Sequence, residues 1–166
     1  ERPTPRTPVI YEVVRLLGEE EMARPAVSLW WSGIAAGLSI SFSLFAQGVL
    51  QVHLPAARWS PLVRDLGYPL GFLMVVLARQ QLFTENTITM VLPLMARPGW
   101  KCLATMLRVW GIILAANLVG TLAAAAFCTF TPVLENVARE AMLAIAGDAM
   151  EKGPLAMFFQ AMTAGC

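Results

Sequence analysis

The amino-acid sequence predicts an all-α membrane protein, a helical bundle whose second membrane-crossing segment is broken. Three observations carry that expectation. Of the 166 residues, 57% are apolar and 14% charged, with a mean hydropathy of +0.63, whereas soluble domains average about 45–50% and about 25%. Residues 27–50 hold no formal charge and residues 103–130 only Arg108, so each exceeds the roughly 20 residues that a helix needs to cross a bilayer. Finally, the polar run Arg79-Gln80-Gln81-Leu82-Phe83-Thr84-Glu85-Asn86-Thr87 interrupts an apolar stretch that reaches from residue 66 to 95.

Residues 1–24 form a leader. Three prolines among the first eight residues make its start irregular. Residues 9–22 then put Val9, Val13, Leu16 and Leu17 on one side and Glu12, Arg15, Glu19 and Glu20 largely elsewhere, an amphipathic helix suited to the membrane surface. Arg24-Pro25 ends it, because proline disfavours helix in its predecessor. The transmembrane domain occupies residues 25–166. Its first span, 27–50, is rich in small residues, with Gly33 and Gly37 in a small-xxx-small pair. Lipid tails are as apolar as leucine, so helices meet in a membrane through close backbone approach, and this span is expected inside a bundle.

The second span covers 66–96 and is broken near 80–86. Unbroken, its 31 residues would reach about 46 Å at 1.5 Å per residue, more than the hydrocarbon core of about 30 Å. Pro69 and Pro93 lie far from the polar run, so its polar residues set the break. Thr84 and Asn86 are N-cap types for a new helix starting near Thr87, which would turn free amides and a positive dipole end toward the break and favour an anion there. Arg79 and Glu85 would each cost about 2.5–3.5 kcal/mol facing lipid at mid-membrane. They are expected to face protein or water, either paired with each other or lining a path. Leu82 and Phe83, apolar residues at the tip of a polar turn, either form a water-excluding constriction or simply pack the loop.

The third span, 103–130, repeats the small-residue character around Asn117 and Gly120. An asparagine at that depth needs a partner, most economically an interhelical hydrogen bond. Residues 135–152 read as a polar external segment. Residues 155–166 open a fourth apolar run of about 18 Å, incomplete as a span, so the fold reads as truncated in its fourth helix.

Arg2, Arg6, Arg15 and Arg24 precede the first span, and Arg97 and Lys101 crowd the link between the second and third. Both segments are therefore expected on the cytoplasmic side of a multi-pass protein. A net charge of +1 gives no reason to expect nucleic acid. Cys102, Cys128 and Cys166 are unmatched and at no metal-ligand spacing, and His53 stands alone in a loop. With no paired carboxylates and no nucleophile beside a base, neither catalysis, a metal nor a cofactor is expected.

These residues resemble a known family. Gly71-Phe72-Leu73-Met74-Val75-Val76-Leu77 followed by Leu82-Phe83-Thr84 resembles the broken second helix of formate/nitrite transporters, whose loop carries a Leu-Phe-Thr motif. Asn117-Leu118-Val119-Gly120 resembles the Asn-Leu-x-Gly of that family's third helix, and residues 161–165 the start of its fourth. The resemblance implies an aquaporin-like protomer of six helices in two inverted repeats, a homopentamer in the bacterial inner membrane, and passage of a small monovalent anion such as formate or nitrite. It implies a constriction at Phe72, Leu82 and Phe83, with Thr84 facing a central histidine of the family's fifth helix. It also implies that Lys152 stands nearest to an external basic residue that attracts anions. Where the family usually has glycine, a small residue and an acid, this chain has Arg79-Gln80-Gln81, the mark of a divergent branch. The alternative is a non-conducting membrane scaffold of the same fold, its pore plugged by Arg79 and Glu85.

Overall fold

Proline and glycine, and at one place a polar run, divide the described residues into eight helices. The computed structural model describes residues 7–164, so residues 1–6 of the expected leader and the last two of the fourth apolar run lie outside it. The helices are α1 (Thr7–Ala23), α2 (Ala26–His53), α3 (Ser60–Asp65), α4 (Pro69–Leu77), α5 (Phe83–Ala96), α6 (Trp100–Phe130), α7 (Asn136–Met150) and α8 (Pro154–Ala164). Among the described residues there is no strand. Among them three segments are long and apolar enough to cross a membrane: α2, Ser60–Leu77 and α6. The second of these begins six residues before the expected position 66, because α3 and the turn at 66–68 continue the apolar run of α4 upstream.

The chain divides into two compact units, one of residues up to Ser41 with Gly71–Ala125, the other of Phe42–Leu70 with the residues from Ala126 on. In the first unit, Leu29 of α2, Met90 of α5, and Met106, Val109 and Ile113 of α6 form the principal core, and Ala36, Val75 and Leu82 a second cluster. The crossing of α2 and α6 is made by backbone. A Cβ added to Gly37 would stand 2.3 Å from the Asn117 carbonyl oxygen, and one on Gly120 would stand 2.3 Å from that of Ile34. One on Gly33 would stand 2.7 Å from the Ala116 Cβ. Van der Waals contact over such a crossing supplies packing energy that lipid cannot imitate.

Helix α1 packs against α5. Pro93 has no N–H, so the Thr89 carbonyl loses the helical donor four residues on, and it is at this carbonyl that α1 presents Gly18. A Cβ there would come within 2.1 Å of the Thr89 oxygen. The amphipathic pattern suited α1 to a membrane surface, yet its glycine seats it on a neighbour, while Val9, Val13, Leu16 and Leu17 stay about half exposed. Its charges are tied mainly to each other: Arg15 pairs with Glu12 at 2.6 Å and with Glu19, and Arg97 approaches Glu19 at 3.8 Å. The Arg15 guanidinium holds the Glu12 carboxyl below its ordinary range.

In the second unit the Ser43 hydroxyl donates to the Tyr68 carbonyl at 2.5 Å. Gly67 lies so close to α2 that a Cβ would stand 2.7 Å from the Gln47 amide nitrogen, and Gly48 meets Met142 of α7 in the same way.

Candidate functional site

Between α4 and α5 the chain leaves the helix over residues 78–82. The exit is a Schellman turn: the Gln80 amide donates to the Val75 carbonyl at 3.0 Å and the Arg79 amide to that of Val76 at 3.2 Å. The residue such a turn forces into the left-handed region is Arg79, with φ 49°. Glycine usually fills that position because a Cβ is crowded there. The arginine side chain projects outward and is exposed.

A backbone amide out of reach of water needs a hydrogen-bond partner, and every amide of residues 78–83 has one in the protein. Ala78 donates to Met74 at 3.1 Å, and Leu82 to Gln80 at 3.1 Å across a tight turn. The Gln81 amide donates to the Ser32 hydroxyl of α2 at 3.1 Å, and the Phe83 amide to Asn117 Oδ1 of α6 at 2.9 Å. Asn117 Nδ2 in turn donates to the carbonyls of Gln81 and Gly33, both at 2.9 Å. One buried side chain thereby ties α2, the loop and the start of α5 to α6. From within α5, Asn86 Nδ2 donates to Gln81 Oε1 at 2.8 Å and to the Leu82 carbonyl at 3.2 Å, and Trp110 Nε1 reaches the Asn86 carbonyl at 3.4 Å.

These bonds correct two expectations. The interruption lies at 78–82 rather than 80–86, and the new helix starts at Phe83 rather than near Thr87. The reason is that the cap comes from another helix: Asn117 takes the first amide, Leu82 occupies the N-cap position without a side-chain bond, and neither Thr84 nor Asn86 is needed as a cap. The amide of Phe83 is therefore not free for an anion. Thr84 and Glu85 are exposed on the first turn of α5, and the Thr87 hydroxyl donates to the Thr84 carbonyl at 2.8 Å. Among the described residues no ion pair joins Arg79 to Glu85.

The three expected constriction residues do not share one cluster. Leu82 is buried at 6% exposure with Val75 and Ala36, and Phe72 packs against them. Phe83 turns instead to the principal core, its ring edge-on to Trp110 at a centroid distance of 5.9 Å. Lys152, in the second unit, donates to Gln160 Oε1 at 3.1 Å and is exposed. Sequence reasoning missed Ser32 as the partner of the loop, the Gln81 side chain as the partner of Asn86, and Trp110 as the donor to the Asn86 carbonyl. Ser32 directly precedes the Gly33 whose carbonyl Asn117 holds, a proximity visible only once the helices are placed. No group of three metal-ligating side chains occurs among the described residues.

Comparison with known proteins gives this geometry a context. The formate/nitrite transporter profile matches residues 8–166. The inner membrane protein YfdC of Escherichia coli K12 is 43% identical over 160 residues, which cover 96% of this chain and 52% of YfdC. The formate channel FocA of Haemophilus influenzae is 36% identical over 111 residues, covering 65% of this chain and 37% of FocA. The chain thus spans about half the length of YfdC and less of FocA. No solved structure matches it. On the profile match across nearly its whole length, the chain belongs to the formate/nitrite transporter family.

Proposed function

We propose that this chain contributes part of the wall of a path by which a small monovalent anion, of the formate or nitrite kind, crosses the bacterial inner membrane. Family membership and the name of a 36% identical relative, a formate channel, support an anion as cargo. In this reading α4 and α5 are two halves of one broken span in an aquaporin-like protomer, several of which assemble as a homopentamer, and the N-terminus faces the cytoplasm. Phe72 and Leu82 narrow the path, and Phe83, held by Trp110, braces the loop behind them. Thr84 offers its hydroxyl on the exposed first turn of α5.

One observation carries the reading: the amides of residues 78–83 are all bonded to protein, those of Gln81 and Phe83 by the side chains of Ser32 and Asn117 on neighbouring helices. A break kept at such expense in hydrogen-bonding side chains on an apolar chain makes sense where helical backbone must give way to a path. Because those amides are already spent, an anion passing Leu82 gains nothing from them. A bare charge crosses an apolar slit poorly, and protonation to the neutral acid lowers that dehydration cost.

The test is uptake of labelled formate and nitrite into proteoliposomes containing the full-length protein, with Leu82→Ala and Arg79→Gly beside the wild type. The expected result is flux in the wild type, raised several-fold by Leu82→Ala. Absence of flux from all three would replace transport with the non-conducting scaffold.

A further inference from the structure

The corner between the first two membrane-crossing segments holds a cavity that the transport reading does not use. Helix α2 ends at His53 and the next candidate span begins at Ser60. The six connecting residues join two crossings, so they lie at the membrane–water interface, where phospholipid headgroups sit. A cavity of about 610 Å³ opens there, lined by Gln51, Leu54, Pro55, Arg58, Pro61 and Arg64 among others.

Its chemistry is that of a phosphate site with an apolar skirt. Among the described residues Arg58 is in no ion pair and is exposed. Arg64 Nη1 donates to Gln51 Oε1 at 3.2 Å, and its other nitrogens are turned to Asp65 at 2.9–3.0 Å. That carboxylate neutralises Arg64 in part, while Arg58 has no such partner among the described residues. His53, also nearby, spends Nδ1 on the Val49 carbonyl. The Ser60 hydroxyl bonds to the Pro55 carbonyl and accepts from the Ala57 amide at 3.3 Å, which fixes the shape of the corner. Beside it Trp59 and Tyr68 are about half exposed and Leu62 and Leu66 largely so. Tryptophan and tyrosine favour the headgroup level, and exposed leucines the acyl chains below it.

We propose that this corner binds the phosphate of an anionic phospholipid, gripped by Arg58 and Arg64 while Leu62 and Leu66 meet its acyl chains. Guanidinium matches phosphate oxygens in a two-pronged geometry that an ammonium cannot reproduce. The site needs only that the protein be embedded in a membrane, and it stands whether or not the protein conducts anions.

The test measures binding of short-chain phosphatidylglycerol, short-chain phosphatidylcholine and inorganic phosphate to the purified full-length protein. The wild type is expected to bind the anionic lipid at least tenfold more tightly than the zwitterionic one. A basic residue near an anionic lipid surface contributes an effect equivalent to about fivefold in affinity. Arg58→Ala should therefore weaken phosphatidylglycerol binding about fivefold, and Asp65→Asn, which frees Arg64, should tighten it. A gain in Asp65→Asn cannot come from loss of fold. Equal binding of the two lipids, or phosphatidylglycerol binding unchanged in both variants, overturns the proposal. Inorganic phosphate binding as tightly as the lipid, with the same dependence on Arg58, overturns the lipid assignment in favour of the free ion.

Discussion

Asn117 spends three of its four hydrogen-bonding positions on backbone of other elements. That makes it the most consequential single side chain of the first unit. Interhelical bonds in membranes average about 0.6 kcal/mol each, but removing this amide also takes the partner from the Phe83 N–H and from the Gln81 carbonyl, which lies outside any helix, at about 1–3 kcal/mol for a buried group. Asn117→Leu is expected to lower stability by about 2–4 kcal/mol, read as the shift in the denaturation curve of the detergent-solubilised protein. Arg79 poses the opposite case. Its left-handed conformation at φ 49° costs an L-residue roughly 1–2 kcal/mol, and its side chain makes no ion pair among the described residues to offset that. Arg79→Gly is expected to raise stability by about 1 kcal/mol while Arg79→Ala leaves it nearly unchanged, since alanine keeps the Cβ. Equal effects of the two would mean that the guanidinium, not the backbone, decides.

Among the elements, α2 and α6 depend on contact without side chains. A Cβ on Gly120 would meet the Ile34 carbonyl at 2.3 Å and the Gly37 Cα at 3.0 Å, both backbone atoms, so relief requires the helices to separate. Overpacking of this kind costs about 1–3 kcal/mol. Gly111 lies on the same helix with nothing within 4 Å of an added Cβ, and there alanine's better helix propensity decides, worth up to about 1 kcal/mol. Gly120→Ala should therefore lower the melting temperature and Gly111→Ala hold or raise it. Both glycines stand in the same apolar run, and composition alone cannot separate them; the difference is which face meets α2. The same limit governed the loop. That a polar run sits inside apolar sequence is plain from residues 79–87, but the helix boundary is fixed by a cap donated from Asn117, 34 residues away. Local propensity pointed to Thr84 and Asn86 because it reads neighbours in the chain. For α1 the apolar side was legible and the seat of Gly18 on Thr89 was not, since that depends on a carbonyl that Pro93 leaves without its donor.

For the molecule as a whole, membrane class and family could be read from composition, span length and the Leu-Phe-Thr and Asn-Leu-x-Gly motifs, because these are properties of the chain itself. Orientation is different: it depends on the side to which the basic links are retained. Arg97 and Lys101 flank the start of α6, and such residues concentrate in cytoplasmic links. Helix α6 carries its own reporters of this. Cys102 and Cys128 are free, half-buried thiols near its two ends, about 39 Å apart along the axis at 1.5 Å per residue, which exceeds the hydrocarbon thickness of about 30 Å. The two thiols therefore reach opposite aqueous faces if α6 crosses the bilayer. In a Cys166→Ser background, a membrane-impermeant maleimide added to right-side-out vesicles is expected to label Cys128 and spare Cys102, and in inverted vesicles the reverse. The reverse pattern in each preparation would place the N-terminus outside. Labelling of both thiols from one side would mean that α6 does not cross, and the transport reading would lose its frame.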